Sequence, residues 1–370
     1  MNKVLFVATV TNHINAFHIP YLQMFKQKGY EVHVASKGEE EIKYCDKHFN
    51  IPFERFPLNP KNLKAYKELK KIINDNQYKI IHCHTPVGGV ITRLAARKAR
   101  KQYNTKVIYT AHGFHFYKGA PLLNWIIYYP IEKVLSKYTD CLITINHEDY
   151  ELAIRKFNKC KKIEFVRGVG IDIDKFESKL HTEEKNKLKD KLNLKYDDFI
   201  LIEVGELNKN KNQIMAIEAM KELIKTNKNI KLLLVGKGKL EKFYNEKIKE
   251  YHLQENVYIL GYRKDIPDLM KISNILLSLS YREGLPVNVM EAMASGLPVI
   301  ATSCRGNRDL IRNNENGYII RNNDISDLKE KIMFLLKNKN VCKKFNINSK
   351  MLIKKYGNKE VEKKLREIYS

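Results

Sequence analysis

Two glutamates, Glu283 and Glu291, are separated by seven residues in the segment YREGLPVNVMEAMASGLPVIATS. Proline tolerates only the first turn of a helix, and it pushes the residue before it toward an extended conformation. Pro286 therefore predicts a loop that carries Glu283 and then a helix, from about Val287, that carries Glu291. The start of such a helix exposes unpaired N–H groups and the positive end of the helix dipole. The segment predicts an anion site with a carboxylate on either side of it.

Three further segments combine glycine with basic residues where a predicted strand ends. VGELNKNKNQ starts at 204, VGKGKLEKF at 235 and ATSCRGNRDLI at 301. A lone Gly-x-Gly turn is weak evidence, but basic side chains and helix N-termini together bind phosphate well. The segments are therefore predicted to bind a diphosphate from one rim of a sheet. The groups that would bind it are Lys211, Gly236, Gly238, the helix start at 287, Arg305 and Arg308.

Histidines follow the predicted strands of the first half of the chain. They form three pairs: His13 and His18, His82 and His84, and His112 and His115. His82 and His84 share one face of a strand, which is compatible with a metal site. No carboxylate or cysteine cluster follows at ligand spacing, so we expect no metal to bind. His112 ends a strand and leads into a glycine-containing loop, which favours a functional role over that of a hydrogen-bonded strand terminus.

The chain has 370 residues, of which 44% are apolar and 29% charged, and its formal net charge is +25. This composition indicates a globular protein that is long enough for two domains. The positive charge fits a lysine-rich, low-GC genome as well as it fits an anionic partner. Six scattered cysteines without a Cys-x-x-Cys pair favour reduced thiols and a cytoplasmic location. Residues 4–25 lack charge, but proline and polar residues interrupt them, so no signal peptide or membrane span is expected.

Short apolar runs alternate with amphipathic stretches, which is typical of a parallel sheet covered on both faces. Strands are predicted at 3–10, 30–36, 78–84, 106–112, 140–146, 162–168, 199–205, 230–236, 256–262, 274–280 and 298–303. Helices are predicted at 18–29, 88–101, 147–157, 211–225, 239–251, 265–272, 287–295 and 325–337. The pattern restarts after a lysine-rich segment at 174–198, which indicates a domain boundary.

We therefore predict an α/β protein with two tandem doubly wound Rossmann-like domains, at 1–173 and 174–349. A C-terminal helix at about 350–370 is expected to pack back on the first domain. Ligands of such sheets bind beyond the carboxyl ends of the strands. The expected site lies in the cleft where the two domains face each other.

The two glutamates and the GLPVNVM between them resemble the signature of retaining family-4 glycosyltransferases, which have the GT-B fold. EAMASGLPVIAT is similar to the same family. HCHTPVGGVITRLAARKAR, TAHGFHFYKGAP and VGELNKNKNQ resemble one bacterial branch that is associated with exopolysaccharide, capsule and glycan-precursor assembly. The resemblance covers nearly the whole chain. It implies a nucleotide-sugar donor, most commonly a UDP-sugar in this family, held mainly by the second domain.

The resemblance also implies roles for individual residues. Glu283 would bind hydroxyls of the donor sugar, and Glu291 would bind the ribose. Lys211 would bind the diphosphate, and His112 would lie beside the reacting centre. Carboxylates, ammonium groups and neutral imidazoles are chemically suited to these roles. The further donor-binding positions are Gly205, Gly236, Gly238, Gly284, Leu285, Arg305 and Arg308.

Two positions depart from the family pattern. Many members have Gly-Arg where this chain has Gly205 and Glu206, and a glutamate cannot bind diphosphate as that arginine does. Either Arg305, Arg308 or Lys209 replaces it, or this branch binds its donor differently. Many relatives also have paired glycines where this chain has TVTNHIN. The candidate substrate contacts are Asn12, His13 and His84.

The resemblance implies transfer with retention at the anomeric carbon. No carboxylate nucleophile is evident, so we expect attack on the face of the leaving group, with no metal or other cofactor. The expected acceptor is a glycan on a lipid diphosphate carrier at the inner membrane face. The net charge and the apolar-aromatic segment 119–131 favour peripheral contact with an anionic membrane, with burial of that segment as the alternative.

Two other functions are compatible with parts of the pattern. A nucleotide-sugar epimerase can have the same architecture and moves no sugar to an acceptor. A nucleic-acid-binding protein is suggested by the charge alone, but no nucleic-acid-binding fold or aromatic–basic motif accompanies it. We therefore expect no nucleic-acid partner.

Overall fold

The computed structural model describes residues 1–57 and 59–370, and these divide into two compact units. The first unit comprises residues 1–170 and 361–370, and the second comprises residues 171–360. Each unit is a parallel sheet with helices packed on it, so the predicted fold class is confirmed.

The first unit contains a seven-stranded sheet. Its strands are β1 (Lys3–Val10), β2 (Glu31–Lys37), β3 (Lys47–Asn50), β4 (Ile80–His84), β5 (Lys106–Ala111), β6 (Cys141–Thr144) and β7 (Lys162–Phe165), in the spatial order β3-β2-β1-β4-β5-β6-β7. Its helices are α1 (Thr11–Phe17), α2 (Ile19–Gln27), α3 (Lys61–Asn76), α4 (Pro86–Ala95), α5 (Arg97–Gln102), α6 (Leu122–Leu135) and α7 (His147–Lys156). Successive residues of a strand point to opposite faces, so Leu5 and Phe6 of β1 enter two different cores.

The second unit contains a six-stranded sheet. Its strands are β8 (Phe199–Val204), β9 (Ile230–Val235), β10 (Val257–Gly261), β11 (Ile275–Ser278), β12 (Val299–Thr302) and β13 (Gly317–Ile320), in the order β10-β9-β8-β11-β12-β13. Its helices are α8 (Ile173–Glu177), α9 (Thr182–Lys191), α10 (Gln213–Thr226), α11 (Glu241–Glu250), α12 (Ile266–Ile272), α13 (Val287–Ser295), α14 (Arg305–Leu310), α15 (Ile325–Lys337) and α16 (Lys339–Ile353). All strand pairs in both sheets are parallel.

The strand order of each sheet reverses once. The reversal lies between β1 and β4 in the first sheet and between β8 and β11 in the second. The loops that leave the carboxyl ends of these neighbouring strands lead in opposite directions, which creates a crevice suited to a ligand. The fold therefore directs attention to the loops after these four strands.

The last helix, α17 (Asn358–Tyr369), belongs to the first unit from Val361 onward. Val361, Leu365, Ile368 and Tyr369 are buried in one core of the first sheet. The predicted return of the chain at about 350–370 starts too early, because α16 packs against α13 and the second unit extends to residue 360.

Several elements differ from the sequence prediction. The helix predicted at 18–29 is α2, and the helix predicted at 88–101 is the pair α4 and α5. The elements that were not predicted are the strands β3 and β13 and the helices α1, α3, α6, α8, α9, α14 and α16. Among the residues that the structure describes, no helix combines the length and apolar character needed to cross a membrane.

We expect Tyr369→Phe to destabilise the first unit by about 1–3 kcal/mol, the usual cost of an unpaired buried polar group. The hydroxyl of Tyr369 shares a 2.7 Å hydrogen bond with Nδ1 of the buried His82. Urea unfolding followed by the fluorescence of Trp125, the single tryptophan, reports on this unit. The exposed Tyr44→Phe is the matched control, and equal midpoints for the two variants would contradict the prediction.

Candidate active site

The loops after β8 and β11 meet through an ion pair. Nζ of Lys211 lies 2.6 Å from Oε1 of Glu283, and both side chains are partly buried. Two further hydrogen bonds join the loops, from the N–H of Tyr281 to the carbonyl of Asn210 and from Nδ2 of Asn210 to the carbonyl of Arg282. The structure thus brings together Lys211, which was predicted to bind the diphosphate, and Glu283, which was predicted to bind the sugar.

The loops after β8 and β9 approach each other backbone to backbone. A Cβ on Gly236, whose φ is +147°, would lie 1.9 Å from the carbonyl oxygen of Gly205, and one on Gly238 would lie 2.2 Å from that of Leu207. The N–H of Gly205 donates to Val235, and the N–H of Gly236 donates to Gly261. These glycines therefore position the loops, and a contact between them and a donor stays a prediction.

The start of α14 braces the loop that carries Glu283. Nε of Arg305 donates to the carbonyl of Glu283 at 3.1 Å, and the Arg305 side chain is buried. A Cβ on Gly306 would lie 2.6 Å from the carbonyl oxygen of Gly284, so only glycine permits this approach. Nη1 of Arg308 donates to the carbonyl of Ser303 at 2.9 Å. In this structure Arg305 orients the acid's loop.

Helix α13 has the predicted bounds, Val287–Ser295. Pro286 precedes its first turn, and Gly296 ends it with a φ of +77°. Nδ2 of Asn288 donates to the carbonyl of Val204, which holds the helix start against the end of β8. Leu285 is buried, and a contact between this residue and a donor stays a prediction.

Glu291 lies in the second turn of α13 and is largely buried. Desolvation raises the pKa of its carboxyl to about 7, and the positive charge of Lys175 opposes this rise. At neutral pH the group is therefore divided between its protonated and ionised forms. The structure does not pair Glu291 with Lys211, whose partner is Glu283.

A buried acid of β8 was missed from the sequence. Glu203 of β8 is buried, and its Oε2 has no hydrogen-bond partner among the described residues. Burial raises the pKa of Glu203 well above its ordinary value, while the charge of Lys211 lowers it. The signal was a single glutamate in the otherwise apolar run FILIEVG.

In the first unit, three of the candidate histidines lie together. The ring centroids of His13 and His112 are 4.7 Å apart, and Nε2 of His112 lies 3.4 Å from Nδ1 of His84. Burial lowers the pKa of His13 to about 4 and the pKa of His112 well below its ordinary value, so both rings are neutral at pH 7. A neutral imidazole can accept a proton or a hydroxyl hydrogen bond. Asn12 is instead exposed on α1.

One face of α6 exposes large apolar side chains. Leu122 and Ile126 are 74% and 62% exposed. The other members of this surface, named here the α6 apolar face, are Leu123, Ile127, Ile131 and Val134. The opposite side of the helix packs Trp125, Tyr128 and Tyr129 against the core. The segment 119–131 was predicted to be either buried or in contact with a membrane; α6 has one buried face and one exposed face, and membrane contact of the exposed face stays a prediction.

We expect Glu291→Gln to change how stability depends on pH. A carboxyl whose pKa is raised by folding keeps its proton in the folded protein after the unfolded chain has lost it, so the free energy of unfolding falls as pH rises toward that pKa. Between pH 6 and 8 the wild type should lose about 1 kcal/mol relative to Glu291→Gln. Urea unfolding followed by circular dichroism measures this. The exposed Glu330→Gln on α15 is the control, and a pH-independent difference would show that Glu291 is not desolvated.

Comparisons with known proteins identify the family. A family model described as "Glycosyl transferases group 1" matches residues 184–351, and one described as "Glycosyl transferase 4-like" matches residues 3–146. The putative glycosyltransferase EpsD of Bacillus subtilis is 42% identical over 368 residues, which are 100% of this chain and 96% of EpsD. The UDP-Gal:alpha-D-GlcNAc-diphosphoundecaprenol alpha-1,3-galactosyltransferase of Escherichia coli is 32% identical over 271 residues, covering 72% of this chain and 68% of that enzyme.

A solved structure supports the same conclusion for the fold. Anabaena HepE in complex with UDP and glucose superposes with a TM-score of 0.80 at 18% identity, covering 100% of this chain and 99% of HepE. The predicted resemblance is therefore confirmed: this chain belongs to the group 1 glycosyltransferases and has the GT-B fold.

Proposed function

We propose that this enzyme transfers a sugar, with retention, from a UDP-sugar to a lipid-linked glycan in cell-surface polysaccharide synthesis. The observation that carries the proposal is the Lys211–Glu283 pair, in which an ammonium group lies 2.6 Å from a carboxylate at the reversal of the second sheet. The UDP and glucose bound by HepE and the UDP-Gal named for the E. coli relative support the choice of nucleotide.

The donor's charge is matched by two features of the second unit. Cleavage of the sugar–phosphate bond leaves negative charge on the departing UDP, and groups already oriented toward that charge lower the barrier. The ammonium of Lys211 would supply one such group, and the N-terminal turn of α13 would supply unpaired N–H groups and a positive dipole end. Neither contribution requires a metal ion, and we propose that transfer proceeds without one.

The acids of the segment would bind hydroxyls. The carboxylate of Glu283 accepts hydrogen bonds from the donor sugar, and that of Glu291 accepts them from the ribose. Because burial raises the pKa of Glu291 to about 7, ribose binding would supply the polar partner that the buried carboxylate lacks when it ionises.

The reaction itself would proceed on one face of the sugar. In this route the acceptor oxygen attacks the anomeric carbon from the side that UDP leaves, through an oxocarbenium-like state, and the departing phosphate oxygen takes the acceptor's proton. The neutral imidazole of His112 would hydrogen-bond to the sugar beside the reacting carbon. Glu283 binds the sugar and does not form a covalent intermediate in this proposal.

The acceptor would be presented at an anionic membrane. The α6 apolar face can enter the lipid interface, and the exposed Lys118, Lys133 and Lys137 flank it with positive charge. The one acid of the helix, Glu132, is buried and paired with Arg93 at 2.7 Å, so it does not repel anionic lipid. The diphosphoundecaprenol substrate named for the E. coli relative supports a lipid-linked acceptor.

We expect Lys211→Gln to lower kcat/KM for the donor at least about 100-fold, the scale on which a lost transition-state donor acts. A thermal-shift screen of nucleotide sugars would first identify the donor, and transfer of labelled sugar to a diphosphoundecaprenol-linked acceptor would then be measured. The matched control is Lys225→Gln, an exposed lysine of α10 that pairs with Glu222.

Two results would contradict this assignment. Equal activity of Lys211→Gln and Lys225→Gln would show that Lys211 does not act on the diphosphate. Conversion of the donor into its epimer, with no label in any acceptor, would show that the protein is an epimerase.

We expect the double variant Leu122→Glu/Ile126→Glu to lose binding to vesicles that contain phosphatidylglycerol, because two charges then oppose insertion of the α6 apolar face. The matched control is Ile347→Glu/Met351→Glu on α16, whose side chains are 61% and 64% exposed and have the same spacing. Vesicle flotation at low salt measures binding. Equal loss in both variants would mean that any apolar patch suffices, and no wild-type binding would remove the membrane claim.

A further inference from the structure

Four histidines from three parts of the first unit converge. His13 lies on α1, His18 follows that helix, His84 ends β4 and His112 follows β5. Each offers one ring nitrogen, and these four nitrogens all lie within 4.8 Å of one another. The spacing of these residues along the sequence gave no sign of this group, because the order β1-β4-β5 in the sheet brings them together.

Four of the eight ring nitrogens of these histidines are buried and lack hydrogen-bond partners within the described protein. His18 and His84 are only 4% and 0% exposed. The unpartnered buried nitrogens are Nε2 of His13, both nitrogens of His18 and Nε2 of His84. A buried polar atom without a partner costs about 1–3 kcal/mol, so this concentration of such atoms in one place indicates a missing ligand.

A neighbouring histidine shows that the fold can satisfy an imidazole at this depth. His82 is as deeply buried, yet its Nδ1 lies 2.7 Å from the hydroxyl of Tyr369 and its Nε2 lies 2.8 Å from that of Thr110. His82 therefore has no nitrogen left for a ligand. His82 is therefore a structural histidine, unlike the four whose ring nitrogens face one another.

The chemistry of the group selects a cation. The four residues are all histidines, and no lysine or arginine among the described residues borders the cavity beside them. Imidazole rings offer lone pairs, which suits a metal ion, whereas a phosphate site would need basic side chains or helix N-termini. Imidazole nitrogen is a ligand for zinc, cobalt, nickel or copper, whereas magnesium and calcium prefer oxygen.

The size of the space agrees with a single ion. A cavity of about 20 Å³, enough for one water-sized particle, is bordered by His18, His84 and His112; His82 also borders it, and His13 does not. Nδ1 of His84 and Nε2 of His112 are 3.4 Å apart. Zinc–nitrogen bonds of about 2.0–2.1 Å in a tetrahedron require an edge of about 3.3–3.4 Å, so this pair is already at ligand spacing.

We propose that His13, His18, His84 and His112 form a binding site for a divalent transition-metal ion of the zinc class. The ion would occupy the ring nitrogen with which His112 would otherwise meet the sugar. Metal binding would therefore inhibit transfer, a consequence that rests on the role of His112 in the proposed function.

The test uses the full chain without a histidine tag, stripped of metal by a chelator. Equilibrium dialysis against Zn²⁺ should give one tightly bound ion per chain, and dialysis against Mg²⁺ should give none. Co²⁺ should bind with the visible absorption bands of a four-coordinate nitrogen site. Absence of zinc binding, or a site that binds Mg²⁺ equally well, would overturn the proposal and leave a water as the occupant of the cavity.

Variants test which residues are responsible. His13→Gln should weaken Zn²⁺ binding at least about tenfold and change the Co²⁺ spectrum. Because His13 is only partly buried, this variant should fold, which an unchanged thermal midpoint without metal would verify. His115→Gln is the control, since that ring stacks on Tyr128 outside the cluster. Unchanged zinc affinity in His13→Gln would overturn the assignment.

The outcomes for the site and for the proposed function are separable. One bound zinc per chain without inhibition of transfer would support the metal site and contradict the role of His112. Loss of transfer in His112→Ala, in a protein that binds no zinc, would support that role and overturn the metal site.

Discussion

The bond between Lys211 and Glu283 is the interaction on which the rim of the second sheet depends. β8 and β11 are neighbours only because the strand order reverses there, and the loops that follow them lead away in opposite directions. The 2.6 Å pair joins these loops. Because both groups are partly buried, the pair is less screened by solvent than exposed pairs, which contribute roughly 0–1 kcal/mol. Arg305 then holds the backbone of Glu283 from the next loop.

The positive charge of Lys211 acts on two acids, Glu283 and Glu203. Glu283 bonds to it directly, and the buried Glu203 is also stabilised by its charge. Burial raises the pKa of Glu203 well above its ordinary value, and the ammonium of Lys211 makes its hydrogen bond to Glu283. In the proposed function, an arriving diphosphate would compete with Glu283 for the ammonium of Lys211. That competition would release the carboxylate to accept hydroxyls as the donor binds.

Helix bounds were predicted best from the sequence where a proline, a glycine or a capping side chain marks the end of the helix. α13 and α15 have the predicted bounds, because Pro286 and Gly296 delimit the first and the side chain of Asp324 caps the second by accepting from the N–H of Asp327. α1 was missed for two reasons. It follows β1 directly, without a capping side chain, and its residues are weak helix formers, so the helix depends on the burial of Ile14. α6 was missed because its apolar residues surround the helix and Pro130 interrupts it.

The sequence also provided an incomplete account of the candidate site. Motif and resemblance identified the residue types, but only the structure separates those that can meet a ligand from those that position others. Gly236 was read as a phosphate contact, yet its lack of a Cβ is needed for the approach to Gly205. The histidine cluster required the sheet order, since no local spacing links His13 to His84 and His112.

The positive charge of the chain does not by itself single out a membrane-binding surface. Lysines are as frequent on α16 as around α6, which is what a compositional bias would produce. The feature peculiar to α6 is the run of exposed apolar side chains, which α16 has only at Ile347 and Met351. Full burial of one such side chain is worth about 1.5–3 kcal/mol. The apolar face would therefore determine where a membrane is met, while the surrounding charge would select anionic lipid.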